Sequence, residues 1–254
     1  MTKRIKTDLL VIGAGAGGLS VAAGAAQLGV KVVLLEGDKM GGDCLNYGCV
    51  PSKALIAFSN QKKPQQFLEA MGFVRNAIKE IEPHDSEERF RSLGVNVIRE
   101  YGRFLDEKTI AAGDYEIKSR RIVIATGAHT SAPEIKGLSD VQYYTNKTIF
   151  DLASKPEHLL VLGGGPVGVE IAQAFARIGI DATIFEKQEI LSNFSDEQVT
   201  VVREHLIDDG VNLREEACIK DIANVGGKLV VQLENGEKIM GSHLLVATGK
   251  KPNL

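Results

Sequence analysis

Several features are scarce in this 254-residue chain, and each scarcity excludes a class of function. No apolar run reaches the roughly 18 residues that a membrane-spanning helix needs, so no membrane partner is expected. Charge of either sign is not in excess: 30 Lys and Arg face 33 Asp and Glu, a net charge of −3 with a pI near 6.0. Such a balance gives nothing to hold nucleic acid. Cysteines number three, and His84, His129, His158, His205 and His243 fit no ligand spacing, so no metal site is expected. The first eight residues are basic but run into a glycine-broken strand and turn, not the apolar core of a secretory signal; a cytoplasmic location is expected.

What is present is an ordinary globular composition, 44% hydrophobic and 25% charged, with length for two domains. The 27 glycines are clustered, as they are where backbone turns are built around ligands. Residues 9–12 form an apolar run of the kind found in buried parallel strands, followed at once by Gly13-Ala14-Gly15-Ala16-Gly17-Gly18. Residues 19–28 read as a helix and 30–35 as a second strand closing on Glu36. Strand, Gly-x-Gly-x-x-Gly, helix, strand and acid make a dinucleotide-binding βαβ unit. In it Gly13 permits the tight turn, Gly15 lets a pyrophosphate approach the backbone, and Gly18 lets helix and strand pack closely. The helix N-terminus offers unpaired N–H donors to the phosphate, and Glu36 accepts from ribose hydroxyls.

The pattern recurs 150 residues later, Gly163, Gly165 and Gly168 standing where Gly13, Gly15 and Gly18 stood. The acid follows the first glycine by 23 residues in both copies, Glu36 after Gly13 and Glu186 after Gly163. Residues 244–249, Leu-Leu-Val-Ala-Thr-Gly, echo 122–127, Ile-Val-Ile-Ala-Thr-Gly. The chain is therefore read as α/β, with two Rossmann-like dinucleotide-binding domains, 1–150 and 151–254, each with a parallel sheet and a β-hairpin or meander insertion. Two dinucleotides are implied. Glu186 favours NAD(H), with NADP(H) the lesser choice, because a carboxylate accepts from a 2′-hydroxyl and repels a 2′-phosphate; Lys187 beside it pulls the other way.

Between the repeats, a helix is expected to start at Pro51-Ser52, with Lys53 in its first turn. Phe67, Met71, Val74, Ile78 and Ile81 step by three and four residues along one apolar helical face, and the polar run 60–66 stands before it as a shortened or missing loop. Residues 85–88 read as a helix cap, 95–98 as a strand, Gly113-Asp114 as a hairpin turn and 121–125 as a buried strand. A second hairpin is expected at 231–240, its Asn235-Gly236 favouring a type I′ turn.

Cys44 and Cys49 lie four residues apart in Gly41-Gly42-Asp43-Cys44-Leu45-Asn46-Tyr47-Gly48-Cys49-Val50-Pro51-Ser52-Lys53. Spacing alone leaves three readings open: a cycling disulfide, ordinary thiols, or half a metal site. Zinc is the weakest, since the nearest histidine, His84, is 35 residues beyond Cys49.

The stretch 41–53 resembles the redox-active disulfide signature of the pyridine nucleotide-disulfide oxidoreductases. Asp43 ahead of the first cysteine and Tyr47 ahead of the second are most similar to lipoamide-dehydrogenase-like and mercuric-reductase-like members. The resemblance implies FAD in the first site and a nicotinamide nucleotide in the second, in keeping with the chemistry: a flavin exchanges electrons with both hydride donors and thiols. It further implies that Cys49 faces the flavin, that Cys44 exchanges with substrate, and that Lys53 pairs with Glu170. The site residues expected are Cys44, Cys49, Lys53 and Glu170 for catalysis. For the cofactors they are Gly13, Gly15, Gly18, Glu36, Gly42, Lys53, Gly102, Thr126, Gly127, Gly163, Gly165, Gly168, Glu186 and Gly249.

The function implied is FAD-dependent transfer of two electrons between a nicotinamide nucleotide and the Cys44–Cys49 disulfide, with a small-molecule or lipoyl disulfide as partner. A metal-ion reductase of the mercuric type and a non-catalytic nucleotide-binding module are the alternatives. Relatives continue into an interface domain carrying an acid–base His and Glu across a homodimer; none follows Leu254, so the chain is expected to be part of a longer, dimeric protein. Cys218 has no companion and reads as a core residue.

Overall fold

The computed structural model describes residues 2–61 and 67–254. In chain order the elements are β1 (Lys3–Ile12), α1 (Ala16–Gln27), β2 (Val32–Leu35), α2 (Gly42–Asn46), α3 (Cys49–Ser59), α4 (Phe67–Ile81), α5 (Glu87–Ser92), β3 (Asn96–Ile98), β4 (Arg103–Asp106), β5 (Thr109–Ala112), β6 (Tyr115–Ile124) and β7 (Ala128–Thr130). There follow β8 (His158–Leu162), α6 (Pro166–Arg177), β9 (Asp181–Phe185), α7 (Asp196–Asp208), β10 (Asn212–Arg214), β11 (Ile219–Val225), β12 (Lys228–Leu233), β13 (Lys238–Gly241), β14 (His243–Val246) and β15 (Lys250–Pro252). Among the described residues no helix is long and apolar enough to cross a membrane.

The chain packs as two compact units. One holds Met1–Val50, Asn76–Ala128 and Pro252–Leu254, the other Pro51–Arg75 and His129–Lys251. In the first, β1 is the centre of a six-stranded sheet ordered β3-β2-β1-β6-β5-β4. The pairs β3–β2, β2–β1 and β1–β6 are parallel, and β6–β5–β4 continue as an antiparallel meander. All four residues of β2 are buried, because both faces of the sheet are covered: Val32 and Leu34 join Val11, Leu19 and Phe90 on one side, Val33 and Leu35 join Leu10, Ile98 and Ile117 on the other. This two-sided burial is why the strand reads as a continuous apolar run.

In the second unit a parallel sheet, β10-β9-β8-β14, packs one face against a separate three-stranded antiparallel sheet, β11-β12-β13. The insertion is thus fused to the parallel sheet in the first unit and detached in the second. Strand length differs with it: β1 pairs parallel with β6 from Tyr115 to Ile124, and the first four residues of β6 carry the meander on their other edge, whereas β8 has five residues.

Several local expectations are corrected. The helix expected from Pro51 begins two residues earlier, at Cys49, and Cys44 lies in the short helix α2. The second strand starts at Val32, not residue 30. Along α4, Phe67, Met71 and Val74 are buried, Ile78 is half-buried and Ile81 is exposed, so the apolar face covers core over its first two turns only. Residues 121–125 do end a strand, but it is not buried: Ile124 is 57% exposed. The turn at Asn235-Gly236 is not type I′, which needs positive φ at both central residues. Gly236 alone has it (90°), and its N donates to Leu233 O at 3.0 Å, the pattern of a type I turn closed by a left-handed glycine. Ser86 does cap α5, accepting from Arg89 N at 3.2 Å. The expected loop at 60–66 falls, from residue 62 on, outside the described residues.

Candidate functional site

The two glycine loops are built alike. Gly13 and Gly163 turn the chain at φ 105° and 104°, where L-residues are strained. A Cβ at either would overlap the carbonyl that ends the neighbouring strand, Ala125 O and Ala247 O. A Cβ on Gly18 or Gly168 would overlap the carbonyl of Gly13 or Gly163, so helix and turn close on a bare backbone. Gly15 and Gly165 differ: nothing lies within 4 Å of a Cβ on Gly165, and only Gly42 Cα, at 3.9 Å, on Gly15. That open space at the N-termini of the 12-residue helices α1 and α6 is where a pyrophosphate fits. The residues present thus suit the dinucleotides that the sequence implies.

The two acids also match. Glu36 Oε2 accepts from Ala14 N at 2.6 Å and Oε1 from Asp38 N at 2.7 Å. Glu186 Oε2 accepts from Gly164 N at 2.7 Å and Oε1 from Gln188 N at 3.2 Å. Each carboxylate therefore ties its glycine loop to the turn after the second strand, a structural role that sequence reasoning missed, and keeps lone pairs for a ribose.

In the second unit these parts border a cleft of about 380 Å³ lined by Gly163, Gly165, Glu186, Thr248, Gly249 and Lys250 among others. Glu189 and Phe194 also line it, and neither was singled out from the sequence; their only signal was closeness to Glu186. In the first unit Gly102 abuts Leu35 and Ile110 side chains, where a Cβ would come within 3.1 Å of both. Thr126 Oγ1 donates to Asn253 O at 2.5 Å and Gly127 O accepts from Asn253 N at 3.0 Å, so the chain's last residues return to the first unit at the end of β6.

The cysteine segment is laid directly on the first glycine loop. Gly15 and Gly41 form a parallel bridge, and a Cβ on Gly42 would stand 2.6 Å from Gly15 Cα. Cys44 sits inside α2 and Cys49 opens α3. They are hydrogen-bonded to each other, and the Cys44 thiol is pushed up to about 11. Burial is the largest cause, followed by the bond to Cys49 and the nearby charges of Cys49 and Asp85. Cys49 is exposed at the first residue of α3.

Four residues along α3, Lys53 Nζ donates to Glu170 Oε1 and Oε2 of α6 at 2.7 and 2.8 Å. Seven residues further on in each segment, Arg177 of α6 donates to Oδ1 of Asn60, the residue just past α3, at 2.7 Å. The equal steps mean that α3 and α6 run side by side in the same direction. Phe67 of α4 meets Phe175 of α6 with ring centres 6.4 Å apart. Among the described residues no three His, Cys, Asp or Glu are grouped as metal ligands.

Residues 7–254 match the family described as pyridine nucleotide-disulphide oxidoreductase. The mercuric reductase of Staphylococcus aureus is 32% identical over 97% of this chain and 48% of its own length. The dihydrolipoyl dehydrogenase of Haloferax volcanii is 31% identical over 97% of this chain and 57% of its own. A solved structure, the Cu(II) complex of the HOCl-induced flavoprotein disulfide reductase RclA from Escherichia coli, superposes with a TM-score of 0.88 at 28% identity, covering 96% of this chain and 57% of that one. The chain spans about half the length of the relatives it matches.

Proposed function

The chain belongs to the pyridine nucleotide-disulphide oxidoreductase family, whose members depend on FAD and use NAD(P)H, and we propose that it passes two electrons from NADH to the Cys44–Cys49 pair. In this reading residues 1–150 carry FAD and 151–254 the nicotinamide nucleotide. The observation that carries it is the seating of the cysteine segment on the first glycine loop, Gly42 against Gly15. A redox pair so joined to a dinucleotide loop exchanges electrons with whatever that loop holds.

When bound, FAD supplies the relay between a hydride donor and a disulfide. The balance is NADH, one proton and the disulfide going to NAD⁺ and two thiols. Cys49, exposed at the start of α3, is the member of the pair that would face the flavin. Cys44 keeps its proton, consistent with a thiol pushed up to about 11, and hands the electron pair to an incoming disulfide once a base removes that proton. Lys53, four residues after Cys49 along α3, is held by Glu170. Gly15 and Gly165 receive the pyrophosphates, Glu36 and Glu186 the riboses, and Glu186 turns away a 2′-phosphate. A lipoyl or other small disulfide is the substrate, in the cytoplasm, and the full-length protein works as a homodimer.

The test separates the two half-reactions. Cys44→Ser and Cys49→Ser should each abolish NADH-dependent reduction of lipoamide yet leave reduction of ferricyanide, which needs no disulfide. Lipoamide turnover in either variant would sink the proposal. A second reading, reduction of a metal ion, is favoured by the named mercuric reductases among the relatives and by the adjacent Cys44 and Cys49 thiols. NADH oxidation that depends on Hg(II) and not on lipoamide would select it.

A further inference from the structure

The duplication allows the two nucleotide sites to be compared position by position, and they differ at the adenosine end. Glu36 N donates to Ile98 O at 3.1 Å and Glu186 N to Arg214 O at 2.9 Å, so the segments following β3 and β10 correspond, Tyr101 to Ala217. Likewise Gly37 corresponds to Lys187. In the second unit the turn after the acid is held by main chain and carboxylate. Ala217 N donates to Glu186 O at 2.9 Å and Glu216 N to Gln188 O at 3.1 Å. Glu215, gripped by Arg203 at 2.8 and 2.9 Å, accepts from Ile190 N at 2.8 Å.

In the first unit the same turn is held by side chains. Arg99 donates from its guanidinium to Asp38 O. The Tyr101 ring lies over Gly37, so closely that a Cβ there would stand 2.6 Å from three of its carbons. Tyr101 nevertheless stays 75% exposed as a residue. An exposed aromatic is unremarkable by itself. This one is placed directly beyond the carboxylate that marks the ribose, on a residue whose lack of a side chain admits it. Adenine is bonded to that ribose, and an aromatic face is the surface on which a base stacks.

We propose that Tyr101 is the stacking platform for the adenine of the first dinucleotide, and that residue 37 is glycine to seat the ring. The inference rests on the assignment of FAD to the first site. It makes Tyr101 a determinant of FAD over FMN, which has no adenosine.

The full-length protein is stripped of flavin and titrated by calorimetry with FAD, with ADP and with FMN. Tyr101→Ala should bind FAD and ADP roughly tenfold more weakly, the order expected for one base–aromatic stack, with FMN binding unchanged. Tyr101→Phe should match the wild type for all three. Gly37→Ala, whose methyl displaces the ring, should reproduce the Tyr101→Ala pattern. Wild-type affinity of Tyr101→Ala for FAD and ADP would overturn the inference, as would an equal loss for FMN, which would mark a purely structural role. A wild-type protein that binds no FAD would overturn the FAD assignment, and this inference with it.

Discussion

Lys53 Nζ donates to both carboxylate oxygens of Glu170, at 2.7 and 2.8 Å, although 117 residues separate the two. The pair joins the helix that begins with Cys49 to the helix that begins at the second glycine loop. Lys53 is 60% exposed and Glu170 33%, so the pair contributes little to stability, about 1 kcal/mol at most. Its use is positional.

Lys53→Met should therefore unfold within about 1 kcal/mol of the wild type. It should slow reduction of the flavin by NADH at least roughly tenfold, since a cation fixed where negative charge develops is lost. Denaturant unfolding and stopped-flow absorbance measure the two. A large stability loss with an unchanged rate would make the pair a structural strut.

The glycines of the second loop should separate folding from binding. Gly168→Ala puts a methyl into the Gly163 carbonyl and should destabilise the protein by about 1–3 kcal/mol. Gly165→Ala meets nothing within 4 Å and should fold normally, yet bind NADH more weakly because its methyl occupies the pyrophosphate's space. Thermal unfolding and NADH titration decide; normal NADH binding by Gly165→Ala would remove the nucleotide from this loop.

Glu186 should set nucleotide preference at a cost to its own loop. Glu186→Arg should raise the NADPH to NADH ratio of kcat/KM by tenfold or more, about 1.4 kcal/mol. It should also raise KM for NADH, since Gly164 N and Gln188 N lose their acceptor. A wild type that prefers NADPH would contradict the assignment.

Acid should weaken the second unit through two histidines at the start of its sheet. His158 and His243 are both held below the usual 6.5, chiefly by burial, with Asp181 partly opposing this at His158. His158 Nε2 lies 2.9 Å from Thr183 Oγ1, and His243 stacks on Tyr144 with ring centres 5.5 Å apart. A histidine depressed in the folded state contributes stability above its unfolded pKa. That contribution is lost as pH falls below about 6.5, because the unfolded chain takes up protons first. His158→Gln should flatten the fall in unfolding free energy between about pH 6.5 and 5. The Glu215 carboxyl, lowered mainly by its bond to Arg203, acts below this window.

Much of this was legible in the sequence because glycine loops are local. Gly13, Gly15 and Gly18 fall within six residues, with Gly18 required by the carbonyl of Gly13 itself, and the 150-residue repeat doubles the signal. Cys44 and Cys49 were legible as a pair for the same reason. The Lys53–Glu170 contact was not readable from spacing; it depends on α3 lying beside α6, which no local pattern encodes. α3 starts at Cys49, two residues before the proline that signals a helix start, because a proline is at home anywhere in the first turn. The exposure of Ile124 escaped for another reason: the apolar run 122–125 resembles a buried strand whether or not anything covers it. Tyr101 and Gly37 sit 64 positions apart, and neither carries a motif.

The central claim is that Cys44 and Cys49 are the electron-accepting pair, and differential alkylation before and after reduction tests it most directly. Oxidised, flavin-loaded protein is labelled under denaturing conditions with one reagent; a second sample is first reduced anaerobically with one equivalent of NADH beyond that needed for the flavin. The account predicts that only Cys218 is labelled in the first sample, and that Cys44 and Cys49 are both labelled in the second. Identical labelling of all three cysteines with and without NADH would contradict it.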